Sequence, residues 1–113
     1  MLSAGHRLTT ADDFRLAVRR GRRAGGPLVT VHLSAPNVDK EINSPTKVGF
    51  VVSKAVGTAV VRNRVKRRLR HLMRERLDVV PAGSLVVVRA QPESAGASYR
   101  DLAGALDRCL GRL

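Results

Sequence analysis

"KVGFVVSKAVGTAVVRNRVKRRLRHLMRER", residues 47–76, reads as a strand, a break and a helix in succession. The opening "KVGFVVS" (47–53) is apolar and rich in β-branched residues, the composition of a strand. Gly57-Thr58 supplies a break and a side chain suited to an N-cap. Beyond it, placed on a wheel at about 100° per residue, Val61, Val65, Leu69, Leu72 and Met73 fall within a stripe roughly 120° wide. That stripe must face a sheet. Asn63, Arg67, Arg70 and Arg74 then point the opposite way, while Arg62 with Lys66 and Arg64 with Arg68 line the two flanks. The helix is of roughly five turns and stops near "VVPAG" (79–83).

Working outward, Thr10 with Asp13 has the pattern of an N-cap with an acid at N3, and Gly21 is a natural stop. Phe14, Ala17 and Val18 share one face between them, so residues 11–20 read as a short helix. Gly25-Gly26-Pro27 breaks the chain before "LVTVHLS" (28–34), a strand. A polar loop, "APNVDKEINSPT" (35–46), leads to the strand at 47–53, expected antiparallel to the first across a long hairpin. "SLVVVRA" (84–90) is apolar enough for a strand buried on both faces. Ser98-Tyr-Arg-Asp101 repeats the capping box and opens a last helix with Leu102, Ala105, Leu106, Cys109 and Leu113 on one stripe. The expectation is an α+β fold of order α-β-β-α-β-α, a small central sheet with helices packed on it, in a single domain over residues 1–113.

The charge is lopsided. The 113 residues carry a formal net charge of +12, and 43% are hydrophobic, with no Trp, so the core must be aliphatic. Residues 60–76 hold eight basic side chains against one acid, Glu75. Solvated helices normally mix signs and gain i,i+4 ion pairs. Here no acid lies between Arg62 and Arg74, so the charges repel one another unless a polyanion neutralises them. Of 21 basic residues, 17 are Arg, which forks onto phosphate and stacks on bases; a GC-rich genome would give the same bias.

A membrane surface is the weaker reading, since the apolar stripe is needed by the core. If six to eight phosphates are contacted, log affinity should fall with log salt at a slope of roughly −4 to −7. The single Cys109 excludes a disulfide framework and reads as a small core residue. No secretory signal pattern or membrane-length apolar run is present, so the expected compartment is the cytoplasm. His6, His32 and His71 are scattered, and no catalytic triad, HExxH, P-loop or paired-carboxylate arrangement can be assembled. The expectation is therefore no catalytic residue and no metal ligand on the polypeptide.

"VGFVVSKAVGTAVVRNRVKRRLR" (48–70) resembles the signature of the bacterial ribonuclease P protein subunit. In that family a strand ends in Ser-Lys, a Gly follows, and Arg-Asn-Arg opens a basic helix. Here these are Ser53-Lys54, Gly57 and Arg62-Asn63-Arg64, with Lys66-Arg67 and Arg70 beyond; Arg7-Leu8, Asp13-Phe14 and Gly21 match the family's opening. The resemblance implies a protein subunit of a ribonucleoprotein endonuclease that removes the 5′ leader of precursor tRNA, its RNA carrying the catalysis. It implies RNA binding by Arg62, Asn63, Arg64, Lys66, Arg67, Arg68, Arg70 and Lys54, with the helix guanidinium groups free to grip RNA. It also implies a leader cleft between the first helix and the sheet, near Phe14, Val18, Arg7 and Ser53. The implied partners are the catalytic RNA and precursor tRNA, with no membrane and no protein partner required, and Mg²⁺ is bound mainly by the RNA. The family's strand–helix–strand crossover is left-handed, against the general right-handed rule.

Some positions depart from the pattern. Val18 stands where a second aromatic is common, Ala55 where a second basic residue often follows Lys54, and Thr58 where Asn or Lys is often seen. The usual Ala-Arg after the last strand appears reversed as Arg89-Ala90, so no role passes to Arg89. Phe14 reads equally as a cleft aromatic and as a core residue. The alternatives are another small basic RNA-binding protein, such as a ribosomal component, and a DNA-binding regulator. The latter needs a short helix just before its recognition helix, where this sequence reads as strand and turn.

Overall fold

The structure, a computed structural model, describes residues 15, 18, 19, 21–34 and 45–113. Four strands, β1 (Arg22–Gly25), β2 (Val29–Ser34), β3 (Lys47–Val51) and β4 (Leu85–Ala90), are accompanied by two helices, α1 (Ala59–Arg74) and α2 (Tyr99–Gly111). Arg15, Val18 and Arg19 are helical, as expected of residues 11–20. Arg7, the Thr10 cap, Phe14 and most of the 35–46 loop lie outside the described residues.

The sheet order is β1-β2-β4-β3. β2 pairs antiparallel with β4, and β3 pairs parallel with β4, so β2 and β3 run in opposite directions but do not touch as a hairpin. The long-hairpin expectation is thus corrected. The reason lies in β4, whose Leu85, Val86, Val87 and Val88 are all buried. Such a strand belongs at the centre, with a neighbour on each edge, and it inserts between the other two. The sequence reading also lacked β1, whose "RRAG" has no apolar alternation and is held through its ladder to β2. Gly26 N–H donates to the Val29 carbonyl at 3.0 Å, closing the turn between these strands.

Strand alternation sorts the sheet into two faces. Ala24, Val29, Val31, Leu33, Val48, Val86, Val88 and Ala90 share one core with Val65, Leu69, Leu72 and Met73 of α1 and with Leu102, Ala105, Leu106, Cys109 and Leu110 of α2. Both helices therefore lie on that face. The aliphatic stripe of α1 is seated as its spacing required, with Val61 half-buried at its upper end. Cys109 is a buried core residue.

The caps form as read. Thr58 Oγ1 accepts from Val61 N–H at 3.4 Å, and Ser98 Oγ accepts from Asp101 N–H at 3.0 Å. Arg76, just beyond α1, ties the helices together. Its Nε donates to Asp107 Oδ1 at 2.7 Å, its Nη2 to Asp107 Oδ2 at 3.3 Å, and its Nη1 to the Leu72 carbonyl at 2.9 Å. Among the described residues, no helix is long and apolar enough to cross a membrane.

Candidate nucleic-acid interface

The interface begins where β3 leaves the sheet. Ser53 is extended and exposed, and it caps a single 3₁₀ turn, Lys54–Val56. Val56 plugs into the core while Lys54 stands in solvent. Gly57 then adopts φ +155, a conformation that L side chains rarely take, and an added Cβ would meet Val61 Cγ1 at 3.0 Å. This glycine lets the chain turn tightly onto the first turn of α1.

On α1, Asn63, Arg67, His71 and Arg74 are exposed, and Arg62, Arg64, Lys66, Arg68 and Arg70 are half-buried. Arg62 to Arg70 spans about 12 Å of helix axis. The side chains of Arg62, Lys66, Arg67, Arg70 and Arg74 make no hydrogen bond or ion pair among the described residues. Their charges are not consumed by the carboxylates of the described residues.

Two flank arginines behave differently from expectation. Arg64 Nη2 donates to the Ala95 carbonyl at 3.1 Å, and Arg68 Nη1 donates to the Ala97 carbonyl at 3.2 Å. They are not wholly free. Their acceptors lie in and just after a second 3₁₀ turn, Pro92–Gly96, which packs against both the Lys54–Val56 turn and α1. A guanidinium has five N–H donors, so holding this turn takes only one donor of each arginine. The wheel showed which flank these residues occupy, but it could not show that a loop 29 to 31 residues downstream would fold against them. Arg62 Nε and Arg64 Nε are buried without an acceptor, which leaves these two charges partly stripped of water.

Of the expected cleft residues, Ser53 and Val18 are among those described. Ser53 and Lys54 sit side by side at the sheet end, and Val18 is helical and 39% exposed. Phe14 and Arg7 lie outside the described residues.

The second face of the sheet, turned away from α1 and α2, carries charges that sequence reasoning did not assemble. By register, Arg23 lies directly opposite His32, and Arg89 lies between Thr30 and Val51 on the same face. Arg23 and Arg89 are exposed, whereas Thr30, His32 and Val87 between them are buried. Burial, reinforced by the nearby Arg23 and Arg89 charges, holds the His32 imidazole below its ordinary pKa. Only strand register reveals this grouping, because Arg89 lies far from Arg23 and His32 in the chain.

Fold and surface together define a small basic α+β protein with a row of cations along one helix. A family model described as Ribonuclease P matches residues 2–113. The Ribonuclease P protein component of Streptomyces avermitilis is 57% identical over 117 residues, covering 100% of this chain and 95% of that relative. The protein of the same name from a Nocardioides species is 53% identical over 113 residues, covering 100% and 95%. Among solved structures, the Staphylococcus aureus RNase P protein superposes with a TM-score of 0.80 at 21% identity, covering 95% of this chain and 94% of that one. The Thermotoga maritima RNase P protein, in complex with 1-(4-fluorophenyl)-2-thiourea, gives 0.79 at 24% identity, covering 95% and 99%. Both share the fold.

The chain belongs to the ribonuclease P protein family. Its role is that of the protein component of ribonuclease P, a tRNA-processing ribonucleoprotein endonuclease, and its partner is accordingly an RNA. The ribosomal and DNA-regulator alternatives are not favoured. A strand and a 3₁₀ turn, rather than a helix, precede α1.

Proposed function

We propose that α1 and the Ser53-Lys54 corner hold the catalytic RNA of ribonuclease P, while the same protein steadies the 5′ leader of precursor tRNA beside it. In this reading Arg62, Arg64, Lys66, Arg67, Arg68 and Arg70 grip phosphates of the structured RNA. Asn63, exposed between two arginines, reads a sugar or base edge. Lys54 extends the contact at the helix entrance. The leader lies between the helix expected over residues 11–20 and the sheet, near Phe14, Val18, Arg7 and Ser53. The polypeptide supplies no catalytic group. Hydrolysis is carried by the RNA with Mg²⁺ bound mainly to RNA phosphates, and the protein acts by fixing the RNA around those ions. The complex works in the cytoplasm and requires no further protein.

The observation that carries this reading is the state of α1: its aliphatic seam is buried, and five of its cations have no partner among the described residues. Cations packed this closely repel until a polyanion neutralises them.

The test is reconstitution with a bacterial ribonuclease P RNA and precursor tRNA at low magnesium, following leader release. Protein should lower the magnesium requirement and favour precursor over mature tRNA. No change in either quantity overturns the proposal.

A further inference from the structure

Of the α1 cations, Arg64 and Arg68 alone have hydrogen-bonded side chains among the described residues, and a single element holds both. That element, the Pro92–Gly96 turn, is itself braced from the sheet. Gln91, which leads into it, donates from its N–H to the Leu28 carbonyl at 2.8 Å and from Nε2 to Thr30 Oγ1 at 2.8 Å. Thr30 is a buried residue of β2, so the turn is pinned to the sheet. Ser94 is 0% exposed, and its Oγ and N–H both donate to the Gln91 carbonyl, at 2.6 Å and 2.9 Å. Ala95 and Ala97 pack against the hydrophobic core, and their carbonyl oxygens accept from the flank of α1.

The direction of this support follows from stiffness. An arginine side chain is long and rich in rotamer entropy. A main-chain carbonyl in a turn fastened to both sheet and core has little freedom. The turn therefore sets the pose of the guanidinium groups, not the reverse. Both acceptors are main-chain oxygens, so the turn acts through its shape rather than through the side chains at 95 and 97. The anchored pair lies four residues apart, about 6 Å along the helix axis. Arg64 Nε is in addition buried without an acceptor, so packing confines this head group as well as its bond. Arg67, Arg70 and Arg74 have no such tether among the described residues.

We infer that Gln91 and Ser94 are positioning residues for RNA: through the Pro92–Gly96 turn they hold Arg64 and Arg68 at a fixed spacing, which makes α1 select a folded RNA over an unstructured one. The inference rests on the RNA-holding role of α1 proposed above and adds to it the element that confers selectivity. Side chains ordered before binding lose less freedom on binding, and a folded RNA whose phosphates match the spacing benefits from this. A flexible polyanion adapts to loose arginines as readily as to held ones, and its attraction is set by charge alone.

Gln91→Ala with Ser94→Ala removes the side-chain bonds that brace the turn and leaves every cation in place. Affinity of the full chain is measured for ribonuclease P RNA and for poly(U), across a salt series. The same titrations are made with wild type, with Arg64→Ala plus Arg68→Ala, and with all four substitutions combined. The brace variant should bind ribonuclease P RNA roughly 3–10-fold more weakly and poly(U) as wild type does. Without the two arginines, loss of the brace should have no further effect on either RNA. Its salt slope should stay at the wild-type value, because no phosphate contact is lost, whereas removing the arginines should make the slope shallower by about two. Equal losses on both RNAs, a loss that persists without the arginines, or no loss at all each overturn the inference. If urea melts show the brace variant unfolded, Thr30→Val, which deletes only the sheet's acceptor for Gln91 Nε2, is judged by the same criteria. Should Arg64→Ala plus Arg68→Ala bind ribonuclease P RNA as tightly as wild type, the role proposed for these two arginines fails and the inference falls with it. A clear arginine loss beside a silent brace variant overturns the inference alone.

Discussion

Arg64 Nη2 donates to the Ala95 carbonyl at 3.1 Å, fastening α1 to a turn 31 residues further along the chain. If α1 holds RNA as proposed, one arginine serves both the protein's own architecture and its RNA surface. Arg64→Ala should lower stability by about 1 kcal/mol and also weaken RNA binding. Arg67→Ala, on an exposed residue with no partner among those described, should weaken RNA binding with no change in Tm. Thermal unfolding alongside RNA titration separates the two. Identical profiles for both variants would contradict a double role for Arg64.

The cations of α1 should show themselves in salt dependence. Log affinity for ribonuclease P RNA plotted against log salt should have a slope of roughly −4 to −7. Arg62→Ala with Arg67→Ala should make it shallower by about two. A slope near zero would mean that the helix does not meet phosphate.

The Arg76–Asp107 pair should be visible in stability and its pH profile. The hydrogen bond from Arg76 is the main reason that the Asp107 carboxyl titrates below its ordinary 3.8. A carboxylate with a depressed folded pKa adds stability that is present above about pH 4 and is lost as pH falls through its folded value. Because Asp107 is largely exposed, Asp107→Asn should cost only about 1 kcal/mol at neutral pH. Denaturant midpoints measured from pH 7 to pH 2 should converge for wild type and variant at the acid end.

His32 has the opposite charge logic. It is held neutral first by burial and then by Arg23 and Arg89, so its folded pKa lies below the ordinary 6.5. The unfolded chain takes up the proton first. Stability is therefore unaffected above about pH 6.5 and declines as pH falls from there toward the folded value. His32→Gln should flatten that segment of the profile. A wild-type curve already flat between pH 7 and pH 5 would show that His32 is not held this way.

Gly57 is the tight point between sheet and basic helix. Gly57→Ala forces a side chain into φ +155 against Val61 Cγ1 at 3.0 Å, costing about 1–3 kcal/mol. Gly96→Ala, where an added Cβ meets nothing within 4 Å, should be nearly silent. Paired urea melts provide the comparison.

What the sequence disclosed and what it withheld follow a physical divide. The α1 stripe was legible because burial of Val65, Leu69, Leu72 and Met73 is written in a local period, and the Thr58 and Ser98 caps are equally local. The place of β4 between β2 and β3 was not, since strand order is set by which edges find each other across dozens of residues. β1 escaped notice because "RRAG" joins the sheet through backbone hydrogen bonds that leave no side-chain signature. The expected RNA-binding residues share one helix and one adjoining turn, so reading the helix was enough to place most of them in the fold. Arg23 and Arg89 come from strands whose facing depends on register, and only pairing reveals their common side.

The central strand is also the last to leave the ribosome. β1 and β2 can zip as soon as residue 34 emerges, but β2 and β3 have no partner on their inner edges until Leu85–Ala90 arrives. By then the arginine-rich helix has already been synthesised, with no completed floor to rest its oily side upon. Nascent chains halted before residue 85 therefore carry two open strand borders beside a concentrated positive charge. Such fragments should clump or cling to RNA indiscriminately, and a discriminating grip begins only when the final quarter of the polypeptide closes the gap.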